Sequence, residues 1–230
     1  MVREFKTQTT ERLERADFRK QYADGRRDFR KVDLSGVRLT WCKLKGADLT
    51  EANLEGAKLS AGILQEADLT RANLKNADLR AADLRNTDLK EANLVEADLS
   101  RADLIKTDLQ KADLTRANLK EATVKEVNLR QAKLYQANLE NINLSTSDLT
   151  EADLREANLE GTNLNETTLA GSNLKGQDLT KLKLNGADLK EANLKKTKLH
   201  SAELYGADLR GAVLTNTNLE SAKIKGAKLP

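Results

Sequence analysis

The chain has 230 residues and a net charge of +3; a third of its residues are charged, 3% are aromatic, and it holds one Pro, one Trp, one Cys and one His. A lone cysteine excludes an internal disulfide, and the absence of any apolar run of about 18 residues excludes a membrane-spanning helix, while so small a charge selects no class of partner. So polar a composition suggests disorder until the placement of the few apolar residues is read.

Residues 1–27 follow no repeat. Thr9-Thr10-Glu11-Arg12-Leu13 reads as the cap and start of a helix running to about Tyr22, with Gly25 as its stop. On such a helix Leu13, Phe18 and Tyr22 are placed to cover the end of whatever follows. Ala16-Asp17-Phe18-Arg19-Lys20 also matches the pattern described next, but one residue out of phase. No apolar signal core lies in this stretch, so a cytoplasmic protein is expected.

From residue 28 to 230 the chain obeys one rule. Every fifth residue from Leu34 to Leu229 is Leu, except Val124 and Ile224. Two residues before each stands a small one, usually Ala, and Asp or Asn lies between, as in Ala47-Asp48-Leu49 and Ala52-Asn53-Leu54. A period of five is neither helical nor that of a flat strand. It suits a backbone that turns a corner every fifth residue, so that each short extended side sends its Leu and its small residue inward. Four sides close a coil and the coils stack. At a strand spacing of about 4.8 Å, about ten coils make a rod of roughly 48 Å. Ordering the backbone of a five-residue side costs about 1–2 kcal/mol per residue, against about 1.5–3 kcal/mol from its buried Leu. One coil alone is therefore unstable, and stacking must supply the rest.

Units such as Ala47-Asp48-Leu49-Thr50-Glu51 and Ala152-Asp153-Leu154-Arg155-Glu156 resemble the A-(D/N)-L-X-X unit of the pentapeptide-repeat family. The resemblance implies an all-β solenoid, a right-handed quadrilateral β-helix, with residues 1–27 as an N-terminal cap. Members are abundant in cyanobacteria, and Tyr22 to Phe29 is similar to the segment that leads into the repeats of many of them. A subset of the family mimics double-stranded DNA and inhibits or protects gyrase.

Residues twenty apart share a face of the solenoid. Summed by side from Val32 on, the charges are +1, 0, +2 and −4. The −4 side carries Asp48, Asp68, Asp88, Asp108, Asp148, Asp188 and Asp208 in one column, interrupted by Asn128 and Thr168 and ending at Lys228. Two readings apply. The column is a recognition strip for a basic partner or a cation, or its carboxylates bond the local backbone and help make the turns. Carboxylates stacked about 5 Å apart should raise one another's pKa unless hydrogen bonds or cations intervene.

Thr87, Thr107, Ser147 and Thr167 fall in one inward column, and Gln177, Ile142 and Leu182 are large for inward slots. These mark either a ligand channel or hydroxyls bonded to backbone carbonyls beside locally widened coils. Cys42 falls inward. Trp41 projects outward near the N-terminal end, placed to pack under the cap or to anchor a partner; Tyr135, Tyr205 and His200 also project outward.

At the C-terminus the repeats stop at Lys228-Leu229-Pro230 with no closing helix. A homodimer through the C-terminal coils, as in some family members, a chain cut short, or a frayed end blocked by Pro230 each fits.

No nucleophilic triad, metal-ligand cluster, phosphate loop or dinucleotide fingerprint is present, so neither catalysis nor a cofactor or metal is expected. The mixed charges lack the aromatic–basic interleaving of single-strand binders, so direct nucleic-acid binding is not expected either. The reading that remains is a non-enzymatic protein-interaction scaffold with an unknown protein partner. Its alternative is a DNA mimic acting on gyrase, which the slightly basic charge disfavours.

Overall fold

The computed structural model describes residues 10–230. Parallel bridges join residues twenty apart along the chain, from Asp28 with Asp48 to Asp208 with Lys228. Each coil therefore has four five-residue sides. On a side, three backbone bonds tie one coil to the next. Leu74 N–H donates to Asn93 at 2.7 Å, Asn76 N–H to Val95 at 2.9 Å, and Asn93 N–H back to Ala72 at 3.0 Å. The central Leu side chains and the small residues before them fill the interior, most at 0–2% exposure until the last coil.

The corner is a β-turn closed by the small residue's N–H on the carbonyl of the Leu three before it, as in Ala77 to Leu74 at 3.0 Å. The residue between them has positive φ at every corner from Lys31 to Gly226, the geometry of a type II turn. Most of these residues are not glycine: Arg71, Asn76 and Glu91 have φ of 57°, 57° and 56°. Each such residue costs roughly 1 kcal/mol or more. That cost is offset because the same corner frees two backbone groups for the ladder above and below.

Outside the core, the Asp or Asn before each Leu accepts the N–H two residues on, as Asp68 does from Thr70 at 2.9 Å. This is the Asx turn, which holds the side straight into its corner. Stacked asparagines add a second ladder. The amide of Asn93 donates to Asn73 at 3.1 Å, Asn73 to Asn53 at 3.0 Å, and Asn53 to the Asp33 carboxylate at 3.1 Å. A second run passes from Asn158 through Asn138 and Asn118 to Asp98.

The N-terminal end differs from the sequence expectation. The helix α1 spans Arg15–Ala23 and starts later than expected. Thr10 does not cap it, and Thr9 lies outside the described residues; Glu14 is the N-cap and makes no side-chain capping bond. The reason is that residues 11–13 are extended. Leu13 N–H bonds Asp33 at 3.0 Å and Asp33 N–H bonds Glu11 at 2.7 Å, so this segment forms part of an extra coil side. Its bridge, Arg12 with Asp33, spans 21 residues instead of 20, whereas the out-of-phase stretch Ala16–Lys20 lies within α1 and forms no coil side. Gly25, at φ 101°, ends the turn after α1 as expected. Phe18 on α1 is fully buried and stands against Phe29, the rings 4.5 Å apart. Tyr22 stacks 6.4 Å from Phe29, and its hydroxyl donates to the Lys45 carbonyl at 2.8 Å. The aromatic residues so scarce elsewhere are thus spent in closing this end of the core.

At the other end Leu214 and Leu219 are partly buried, and Ile224 and Leu229 are 40% and 46% exposed. No helix among the described residues is long and apolar enough to cross a membrane.

Candidate interaction surfaces

The aspartate column of the −4 side lies on one line of bridges, Asp48 to Asp68 to Asp88 to Asp108 and, after Asn128, to Asp148. Beyond Thr168 it resumes at Asp188 and Asp208. Each carboxylate accepts a backbone N–H from its own corner, for example Asp48 from Thr50 at 3.0 Å and Asp188 from Lys190 at 3.1 Å. Cations stand between most of them. Arg30 lies 3.5 Å from Asp48; Lys90 bridges Asp88 and Asp108 at 2.7 and 3.2 Å; Arg130 reaches Asp148 at 3.1 Å and Lys190 reaches Asp188 at 2.9 Å.

Asp208 is held below the usual carboxylate range by the Arg210 guanidinium, which grips both its oxygens. Burial pushes Asp148 up, but the Thr150 hydroxyl and N–H and the Arg130 guanidinium together pull it below its ordinary value. At these two positions the shift is downward, because hydrogen bonds and the neighbouring cations outweigh burial. Asp68 makes no ion pair among the described residues; Thr70 alone bonds it.

Inside the solenoid the hydroxyl column is structural. Thr87, Thr107 and Thr167 donate to the carbonyls of Leu64, Leu84 and Leu144 at 2.8, 2.8 and 3.0 Å. Thr162 and Thr197 do the same on other sides. The hydroxyls of Ser147 and Ser172 are buried with no partner among the described residues. Serine lacks the γ-methyl that fixes threonine's rotamer toward the carbonyl.

The Gln177 amide donates to the carbonyls of Leu154 and Ala157. It thereby takes the acceptor that the Asp178 N–H would use, and the ladder bonds of Asp178 to Ala157 and of Leu159 to Asp178 are missing at this place. Around Val124 and Ile142 the ladder also opens: Val124, Glu126 and Asn143 make no backbone N–H bond to the neighbouring coil. A β-branched centre, Val124, and an oversized inward residue, Ile142, stand at these openings.

Cys42 is buried, and burial pushes its thiol up to about 12. His200 is half exposed, with Glu220 3.9 Å from its Nδ1. Among the described residues no three His, Cys, Asp or Glu side chains are grouped to hold a metal ion.

Trp41 does not pack under the cap. It is 77% exposed, at a corner with φ 60°. It stands on the rim of a hollow of about 420 Å³ between α1 and the first coil, lined by Phe18, Tyr22, Cys42 and Leu44 and flanked by Arg19 and Lys43. The sequence alone did not single out these cations. Its available signal was that no acid occurs between Asp33 and Asp48, whereas Arg38, Lys43 and Lys45 all do.

The family profile described as Pentapeptide repeats matches eight overlapping stretches, the first at residues 28–60 and the last at 192–229, which together run through the repeat region without a break. The chain belongs to the pentapeptide-repeat family. Among solved structures, this pentapeptide-repeat chain is similar to HetL, a pentapeptide-repeat protein involved in heterocyst differentiation regulation from the cyanobacterium Nostoc sp. strain PCC 7120. The identity is 35%, the TM-score 0.91, and the match covers 95% of this chain and 98% of HetL. Full-length QnrB1, a plasmid-mediated fluoroquinolone resistance protein, matches at 15% identity and TM-score 0.65 over 88% of this chain and 93% of its own. A trypsin-treated QnrB1 variant matches at 16% identity and TM-score 0.64, over 87% and 91%. The likeness to QnrB1 is one of fold. The pentapeptide-repeat fold is a right-handed quadrilateral β-helix, here with one short helix at its N-terminal end among the described residues. No curated protein matches the sequence.

Proposed function

We propose that this protein is a non-enzymatic scaffold that binds another protein through the flat outer sides of a rod of about ten coils, with residues 1–27 as its cap. The observation that carries the reading is the polar lattice on those sides. Ion pairs and amide ladders link residues twenty apart, as in Lys31–Glu51–Arg71 at 3.5 and 2.8 Å and Gln136 to Glu156 at 2.7 Å. Side chains so linked are ordered before a partner arrives, which lowers the entropic cost of contact. The 35% identity to HetL over nearly the whole of both chains supports a regulatory role exercised by contact.

The aspartate column is the proposed contact strip for a basic partner, centred on Asp68, whose carboxylate is free of ion pairs among the described residues. Gyrase mimicry is the lesser reading. It needs a strongly negative surface, and here cations stand against the carboxylates on the most acidic side. A gyrase supercoiling assay with purified protein separates the two: inhibition or drug protection at micromolar concentration would reverse the order. Changing Asp68, Asp88 and Asp108 together to Asn tests the strip. Retention of every partner recovered by pull-down with the parent protein would reduce the column to a turn-forming device.

A further inference from the structure

Every other corner close to Trp41 in sequence is occupied by a residue suited to water or to positive φ: Gly36, Gly46, Glu51 and Gly56. Trp41 holds the same conformation, at φ 60°, with a bulky ring that gains little burial for it. A large aromatic residue kept in the left-handed region and left in water is a cost without a packing return. The ring rims a hollow whose floor is apolar: Phe18, Cys42 and Leu44 are 0%, 7% and 2% exposed.

The surroundings are cationic. Arg19 and Lys43 flank the hollow, and Arg38 and Lys58 are stacked by a bridge on the side that leads into the Trp41 corner. None of the four makes an ion pair among the described residues. The next residue in the Arg38 column, Asp78, is gripped by Arg80 at 2.8 Å through both oxygens. In the Lys43 column Ile63 follows, and then Asp83, which is gripped by Arg85. Elsewhere on the rod Lys and Arg mostly have carboxylates at hand; here, among the described residues, Lys58 alone is felt by a carboxylate, Asp78, which leaves Arg19, Lys43 and Arg38 open to a counter-charge from outside.

We infer that the Trp41 hollow docks an acidic peptide segment of a partner protein, inserting one large apolar side chain between Trp41 and α1 while its carboxylates meet Arg19, Lys43 and Arg38. A concave, apolar-floored site of this size suits a side chain and offers nothing to a flat bilayer. The cationic run ends at Asp78 and Asp83, within two further coils, too short to track a nucleic-acid backbone. Trp and Arg beside a desolvated pocket are the residues that dominate binding energy at protein interfaces. The inference rests on the scaffold reading but uses a surface apart from the aspartate column, so the two can fail separately.

The test is a selection of random twelve-residue peptides displayed on phage against the full chain, followed by titration of the winners. Trp41 is the sole tryptophan, so its fluorescence reports this site alone. The expected winners carry Asp or Glu around Leu, Phe or Ile, shift the Trp41 emission to the blue, and weaken with salt. They should lose about tenfold or more in affinity on Trp41→Gly and on the double change Arg19→Glu with Lys43→Glu. Trp41→Gly should keep or raise the melting temperature, since glycine suits the corner; a fall would mark Trp41 as a packing residue and overturn the inference. So would any of the following: no acidic consensus, winners indifferent to these variants, an equal response to single-stranded DNA or to phosphatidylserine vesicles, or a red shift of Trp41 when residues 1–9 are deleted. The last would show that the chain's own N-terminus fills the hollow. Retained pull-down partners in the Trp41→Gly protein would leave the aspartate strip standing.

Discussion

Ala81 holds a φ of 53° with no side chain beyond its methyl group to gain from the position. Replacing it with glycine removes the left-handed penalty, roughly 1 kcal/mol, and returns part of that as lost chain entropy. Ala81→Gly should therefore raise the urea midpoint or leave it in place, the opposite of the usual effect of glycine in ordered backbone. Gly161→Ala should lower it, because a Cβ there carries the positive φ of 68° and makes the Asn141 amide swing aside. The buried hydroxyls allow a matched pair. Thr107→Val deletes the bond to the Leu84 carbonyl, which keeps the Thr87 N–H, and should cost about 1 kcal/mol. Ser147→Ala removes a hydroxyl without a partner and should be neutral or stabilising; a loss as large as that of Thr107→Val would mean that Ser147 is bonded after all. The inward column was legible in the sequence because threonine among alanines breaks a strict pattern. The corner conformation was only partly legible: ten of the twelve glycines fall at corners, but Lys31, Trp41 and Arg71 share the same conformation.

At the scale of a single side, a recurrent unit is Asp-Leu-Arg. In Asp78–Arg80, Asp83–Arg85, Asp153–Arg155 and Asp208–Arg210 the guanidinium reaches back across the Leu and binds both carboxylate oxygens. Asp28–Arg30 does the same around Phe29, and there the arginine lowers the carboxyl to about 2. For these aspartates the folded pKa lies below the unfolded value near 4. Their stabilisation is complete above about pH 4 and lost as pH falls through the folded values. Melting temperature should be flat from neutral pH down to about 4 and then drop toward pH 2; a fall already under way near pH 6 would point to other groups. The sequence showed each carboxylate but not its partner, because an Arg two residues on is one candidate among many charges. Gln177 shows the reverse case: the sequence called for partners to a buried amide, and these are present, while the coil answers with two missing ladder bonds. Gln177→Ala should free the Ala157 carbonyl for Asp178, seen as slower hydrogen exchange at the Asp178 amide. Unchanged exchange there would mean that the ladder is held open by something else.

Over the whole molecule each coil touches only its neighbours, so stability is a property of position along the rod. The capped end is closed by Phe18 and Phe29, both fully buried, and the other end leaves Ile224 and Leu229 40% and 46% exposed. Amides of residues 214–229 should therefore exchange well before Cys42 reacts with a thiol reagent, since Cys42 lies on the first coil under the cap, buried and with its thiol pushed up to about 12. Equal rates would indicate one cooperative opening of the entire rod. The solenoid itself was legible because the Leu register never slips after Phe29. The start of α1 was misplaced because residues 11–13 obey a long-range pairing with Asp33 that local cap signals do not encode. The amide ladder from Asn93 to Asp33 carries a different consequence. The interior reads the chain in fives, but this ladder and the ion-pair columns read it in twenties. Duplicating one repeat would leave every leucine facing inward while turning all later surface columns onto the adjacent side. Gene growth in units of four repeats would conserve both codes, so the outer pattern, far more than the core, limits how such a chain can lengthen.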